Sequence, residues 1–266
     1  MNSRNYEYSM IPRDEYELLF TEADNIIFYA AKKYNIDKTE VRYDNTINFL
    51  LSAFPKLNSF CYSAKSNPAS LFMFNTLLSE DLNLNIKCQY NLNESEPFVN
   101  IVGGFTTFTE VGPILFLNAS PNQVYQHIIF TIAHELIHIY KAKTDEEYYH
   151  AAALINRNKA IGSSYPVELQ PIEDQTNVLS SLIYVPNSSL DINILNNDFN
   201  ELCLIYKMSK SAMHNRLFNY FYYERGFTYE FSKKAVFSFR NCNSLEIGMI
   251  RDTISNTYSN LFSLPF

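Results

Sequence analysis

Thr131-Ile-Ala-His-Glu-Leu-Ile-His-Ile-Tyr140 holds His134, Glu135 and His138 in the order H-E-x-x-H. On a helix, residues four apart lie on one face about one turn apart, so both imidazoles can reach a single ion. Glu135 follows the first histidine and points to the flank of that face, close to where an ion-bound water would sit. Two nitrogen ligands, an open position for water and a carboxylate to take the water's proton are what a zinc hydrolase requires. With 5 His in 266 residues, the pattern would arise in roughly 0.6% of shuffled chains, so it carries information.

The flanks of this stretch set its context. Gly112-Pro-Ile-Leu-Phe-Leu-Asn118 is a short apolar run between turn residues and reads as a strand. Ser120 then offers an N-cap, Pro121 a first helical residue and Gln123 a capping-box partner, so a helix is predicted from Pro121 to about Ala142. Around the motif this helix is apolar on nearly every side (Ile128, Ile129, Ile132, Ala133, Leu136, Ile137, Ile139), which predicts burial. Histidines buried in this way need polar partners or a metal. Upstream, helices are expected over Asp14–Tyr34, Asn45–Phe54 and Leu71–Leu78. Ile86–Leu92 reads as a strand, and Val99–Phe108 as two short strands bent at Gly103-Gly104. Downstream, Lys141–Ser164 reads as a polar loop with a short helix near Tyr148–Asn156. Pro171–Tyr184 reads as a helix ended by Pro186, and 187–196 as an Asn/Ser/Asp-rich connection. From Phe199 the pattern is helix, turn, helix. The tail holds a strand-like piece at Ala235–Phe239 and a helix over Leu245–Leu261.

A catalytic zinc site takes three protein ligands and a water. A third histidine six residues after His138 is excluded, because that position is Thr144. Asp145, Glu146 and Glu147 lie further along the chain and read as a solvated acidic run. Glu173 is the better candidate: it stands in the first turn of the Pro171 helix, where the helix dipole favours a carboxylate. Glu168 and Asp174 are the alternatives, and Asn177 is a candidate partner one turn on. Tyr140, His150 and Tyr184 are the candidates for a donor to an oxyanion.

Three blocks resemble the ImmA/IrrE family of zinc metallopeptidases. Ile114-Leu-Phe-Leu-Asn118 followed by Phe130-Thr-Ile-Ala-His-Glu-Leu-Ile-His138 is similar to that family's strand and F-T-x-A-H-E-L-x-H helix. Glu173-Asp-Gln-Thr-Asn-Val-Leu-Ser-Ser-Leu-Ile-Tyr-Val-Pro186 resembles E-x-x-A-N-x-F-A-A-x-L-L-M-P, and Leu204–Leu217 resembles the family's helix-turn-helix-like segment. Ile137 stands where the family usually has Gly. The resemblance spans about residues 112–225. It implies a zincin-like core with Zn2+ on His134, His138 and Glu173, Glu135 as the catalytic base, and an intracellular endopeptidase that cuts a repressor or other regulator.

The totals agree with a folded protein. Apolar residues make up 47% and charged residues 18% of the chain. A net charge of −7 argues against nucleic acid as the main partner. Cys61, Cys88, Cys203 and Cys242 form no C-x-x-C pair and read as reduced thiols. The start of the chain does not read as a signal peptide and no apolar run is long enough to span a bilayer, so a cytoplasmic protein is expected. The expected fold is α+β and mostly helical: a zincin-like domain with a small sheet over 1–190, then a helix-turn-helix-like region and C-terminal extension over 191–266. The expected function is zinc-dependent cleavage of a regulatory protein. The alternative is a zinc-containing DNA- or protein-binding regulator without hydrolytic activity, in which Ser209–Leu217 would be the recognition helix.

Overall fold

The computed structural model describes residues 8, 10–63, 68–84, 86, 88–91, 102–120, 124–160 and 166–262. It is mostly helical with one small sheet, and it divides into two compact units, one of Met10–Tyr184 and one that begins at Val185 and includes Tyr8.

In the first unit, α1 spans Arg13–Tyr34. Asp14 and Glu15 in its first turn and Lys32 and Lys33 in its last complement the helix dipole, and Asn35 ends it in the left-handed region at φ 54°. Its buried stripe, Leu19, Ala23, Ile26, Ile27 and Ala30, repeats at three and four residues. α2 (Tyr43–Ala53) buries Thr46, whose Oγ1 donates to the Ile183 carbonyl at 3.0 Å. α3 spans Pro68–Leu82.

The sheet runs β2-β1-β4-β3, with β1 (Asn58–Ser63) parallel to both β2 (Cys88–Asn91) and β4 (Gly112–Asn118). β3 (Gly104–Thr109) is antiparallel to β4 and lies at the edge. The two strands meet in a hairpin around Glu110-Val111, with Thr109 opposite Gly112. Gly112 sits at φ 136°, and a Cβ there would lie 2.9 Å from the Lys56 carbonyl oxygen, so glycine is required at this turn. The chain bends at Gly103, as expected. Gly104 opens β3, and a Cβ on it would meet Thr131 Cγ2 at 2.7 Å and the Phe116 carbonyl at 2.8 Å. The missing side chain lets β3 lie against the motif helix one turn before His134. Residues 99–101, the first half of that expectation, lie outside the described residues.

α4 (Tyr125–Ala142) carries the motif and packs on β3 and β4. It starts at Tyr125 rather than Pro121, with Val124 at the N-cap and no side-chain cap; 121–123 lie outside the described residues. Residues 131–139 are all buried, because the sheet and other helices cover α4 on every side. The short helix expected near Tyr148–Asn156 is present and longer. α5 runs from Glu146 to Ala160, and Asp145 Oδ1 accepts from the Tyr148 amide at 2.9 Å to begin it. The acidic run is therefore exposed, as expected, and also starts a helix. α6 spans Gln170–Tyr184.

In the second unit the expected connection at 187–196 is a helix, α7 (Asn187–Asn196). Leu190 and Ile194, four apart, are its buried contacts, and Asn193 and Asn196 bond back to the carbonyls of Ser189 and Ile192. α8 (Phe199–Ile205) and α9 (Lys210–Asn219) follow, joined by a short turn and capped by Asp198 and Ser209. A π-helical turn follows at Tyr220–Glu224. The strand-like piece at Ala235–Phe239 is helical, inside α10 (Tyr229–Arg240). Ser232, Ala235, Val236 and Phe239 are buried there at a spacing of three and four, so the window around the short run decides its conformation. α11 spans Ser244–Phe262. Among the described residues no helix is long and apolar enough to cross a membrane.

Two outcomes follow from this packing. Gly104→Ala is expected to cost about 1–3 kcal/mol of stability in a denaturant titration, because neither the strand backbone nor Thr131 can retreat. His214 on α9 is fully buried, and burial, together with the Arg240 cation, lowers its pKa to about 4. The folded value lies below the unfolded one of about 6.5, so stability is complete above that pH and falls as the pH drops toward 4. Unfolding midpoints measured across this window should show that slope, and His214→Gln should flatten it.

Candidate metal centre

The site lies in the first unit, where α4 and the first turn of α6 meet. His134 and His138 present their Nε2 atoms 3.1 Å apart on one face of α4. Glu173, 35 positions beyond His138, brings Oε1 to 3.0 Å from His138 Nε2. Its other oxygen lies 3.4 Å from His134 Nε2. All the candidate ligand atoms fall within 4.8 Å of one another. A tetrahedral ion with ligands at 2.0–2.1 Å has edges of about 3.3–3.4 Å, which these separations approach. The chemistry of the donor set also fits. All three residues are buried, and two imidazole nitrogens and a carboxylate packed this closely call for a cation among them. This group could hold a metal ion.

The electrostatics agree. Burial opposes the charge on Glu173, but hydrogen bonds from His134 and His138, with the charges of His134 and Lys159, outweigh it and hold the carboxyl far below the usual range. Burial pushes His138 down, against the opposing pull of Glu173. A neutral imidazole is the form that ligates a metal.

Glu135 is 1% exposed and does not belong to the ligand group. Thr106 Oγ1 on β3 donates to its Oε2 at 3.0 Å. Lys159 Nζ on α5 lies 3.5 Å from its Oε1 and 3.2 Å from Glu173 Oε1, so one ammonium faces both carboxylates. On the far side of His138, Nδ1 is 2.9 Å from the Tyr148 hydroxyl, which is 2.6 Å from Thr176 Oγ1. Thr176 Oγ1 in turn donates to the Ile172 carbonyl at 2.7 Å. Burial raises the Tyr148 phenol pKa well above its usual value, so it stays protonated.

The four residues expected at the site, His134, Glu135, His138 and Glu173, are thus brought together. Others expected near it are not. Asn177 and Glu168 are exposed, and Asp174 accepts from Gln170 at 3.0 Å. His150 is largely solvent-facing and pairs with Glu146 on its own helix, while Tyr184 stacks on Tyr43 at 5.1 Å. Tyr140 is half-buried. Tyr148, Asn156, Lys159, Thr176 and Thr106 were not anticipated. Tyr148, Ala152, Asn156 and Lys159 form a helical stripe at spacings of four and three, a signal that a helix drawn through to Lys159 would have exposed.

Compared with models of known families, with curated proteins and with solved structures, the chain matches none.

Lys159 and a metal ion at this group would compete for the same Glu173 oxygen. Lys159→Met is therefore expected to tighten Zn2+ binding by roughly 3–10-fold, measured by competition with a chromophoric chelator, since a partly buried charge pair is worth about 1 kcal/mol. Unchanged or weaker binding would show that the ammonium does not oppose the ion.

Proposed function

We propose that this chain is a zinc-dependent endopeptidase with a zincin-like core, as the resemblance to the ImmA/IrrE family implies, and that it cleaves a regulatory protein such as a transcriptional repressor inside the cell. The observation that carries this reading is the arrival of Glu173, from a separate helix, within 3.4 Å of both histidines, with Glu135 buried beside the group and not part of it. Two imidazoles and one carboxylate are the ligand set of a catalytic zinc, which leaves a coordination position open.

His134, His138 and Glu173 would hold a zinc ion, which would supply Lewis acidity to a water and to the peptide carbonyl. Glu135 would take a proton from the attacking water and deliver it to the leaving amine. Thr106 and Lys159 each hold one of its oxygens, so the carboxylate is oriented before substrate arrives. The apolar walls of α4 exclude bulk water and strengthen each of these interactions.

A structural zinc would use four protein ligands, commonly cysteines. Among the described residues the group has three, and Cys61, Cys203 and Cys242 are outside it. On α9, Arg216 is buried and bonded to Val185 and Glu224, so this cation of the helix-turn-helix-like segment is not presented to phosphate. Both observations favour the hydrolase over the regulator.

The decisive comparison uses Glu135→Gln and His138→Ala with candidate repressors as substrates. Glu135→Gln should keep its zinc and lose cleavage by at least about 100-fold, because only the base is removed. His138→Ala should lose both. Cleavage at the wild-type rate by Glu135→Gln would sink the mechanism.

A further inference from the structure

We propose that a pocket in the first unit, separate from the ligand group, binds a medium-chain carboxylate, an alkyl chain with one anionic head. The pocket has a volume of about 370 Å³, and such a volume takes a small molecule rather than a membrane lipid. It lies where the end of α2, the β3–β4 hairpin, the last turn of α4 and the start of α5 come together. Its walls are apolar. Phe54 follows α2, Phe108 stands near the end of β3, Ile139 is buried on α4, and Tyr149 comes from α5. The Phe108 and Tyr149 rings lie 4.9 Å apart between centroids and are tilted by 56°. Rings tilted in this way leave no parallel slot for a planar aromatic guest, and a flexible chain follows such a surface better.

The head group is decided by charge. Lys56 and Lys143 line the pocket, and no acidic residue does. Both lysines are exposed, which sets their charges at the mouth. Lys143 Nζ stands over the Phe54 ring at 5.6 Å from its centre, so its ammonium is held against the apolar wall. Gly112, at φ 136°, lets the hairpin backbone lie against Lys56 and so sets that residue beside the cleft. Neither lysine has a carboxylate partner among the described residues. Two such ammonium groups above an apolar cleft, in a chain of net charge −7, select an anion that carries a chain. The pocket adjoins the ligand group without sharing residues with it. Ile139 and Tyr149 directly follow His138 and Tyr148 in the chain and line the pocket instead. The assignment therefore does not depend on the zinc reading.

Calorimetric titration with octanoate, below its micelle concentration, tests the site on both metal-free and zinc-treated protein. Octanoate should bind once per chain with equal affinity in the two preparations. It should bind about 5–10-fold tighter than octanol, which has the chain without the charge. Butyrate, which keeps the head and loses most of the chain, should bind at least about 30-fold more weakly than octanoate. The double variant Lys56→Gln, Lys143→Gln should bring octanoate down to the octanol affinity and leave octanol unchanged. Ala142→Leu, which adds bulk to the pocket from α4, should abolish the binding of both. Far-UV circular dichroism confirms that each variant is folded. No octanoate binding by the folded wild type, equal affinity for octanoate and octanol, or octanoate binding that survives Ala142→Leu would overturn the assignment. Binding only after zinc treatment would also overturn it, by placing the carboxylate on the ion. A wild type that sediments as a dimer and takes up no octanoate would give the pocket to a second copy of the chain. Failure of the wild type to bind zinc would sink the hydrolase reading and leave the octanoate result standing.

Discussion

Two buried carboxylates, Glu135 and Glu173, sit against two buried histidines, and the unit that contains them is arranged to make this tolerable. Ionised carboxylates are costly to remove from water unless paired and hydrogen-bonded. Each of these has a partner on more than one element: Thr106 from the edge strand, Lys159 from α5, and the imidazoles from α4. The first turn of α6 adds its dipole to the stabilisation of Glu173. Gly104 matters for the same reason, because β3 must lie close to α4 for Thr106 to reach Glu135. An additional cation at the ligand group would complete the neutralisation that one lysine begins.

The parts of this centre that were legible in the sequence are those whose spacing is local. His134 and His138 are one turn apart on any helix, so their convergence needed no knowledge of the fold. Gly112–Asn118 has the predicted bounds because turn residues punctuate it sharply. Glu173 stood out as a first-turn acid. What surrounds the ligands was harder to see. Thr144–Glu147 looks like solvated loop, and its acids are indeed exposed, but Asp145 caps the helix that carries Tyr148 and Lys159 inward. The Asn-rich 187–196 looks like a linker because asparagine competes with helical hydrogen bonds, yet here the side chains close onto carbonyls of their own helix. Ala235–Phe239 is too short a window for strand and helix periods to separate.

In the second unit, the helix pair α8–α9 carries a cation turned inward. Arg216, fully buried, reaches the Val185 carbonyl at 3.1 and 3.2 Å and Glu224 at 2.9 Å, and also bonds Asn187. A guanidinium in this position serves as a bracket between α9, the start of α7 and the π-helical turn. The motif resembles a nucleic-acid reader in its sequence pattern, while this residue works as an internal tie.

The α5 helix brings three different functions to one rod. Along one face it meets His138 Nδ1 through the Tyr148 hydroxyl at 2.9 Å, meets the edge strand through Asn156, which accepts from the Thr106 amide at 3.3 Å, and faces both carboxylates through Lys159. A helix moves as a rigid body, so these contacts cannot be released one at a time. A small rotation of α5 would release His138 Nδ1, free a strand amide and withdraw a positive charge together, which makes the position of one helix the common setting for the candidate ligand group, edge-strand access and local charge.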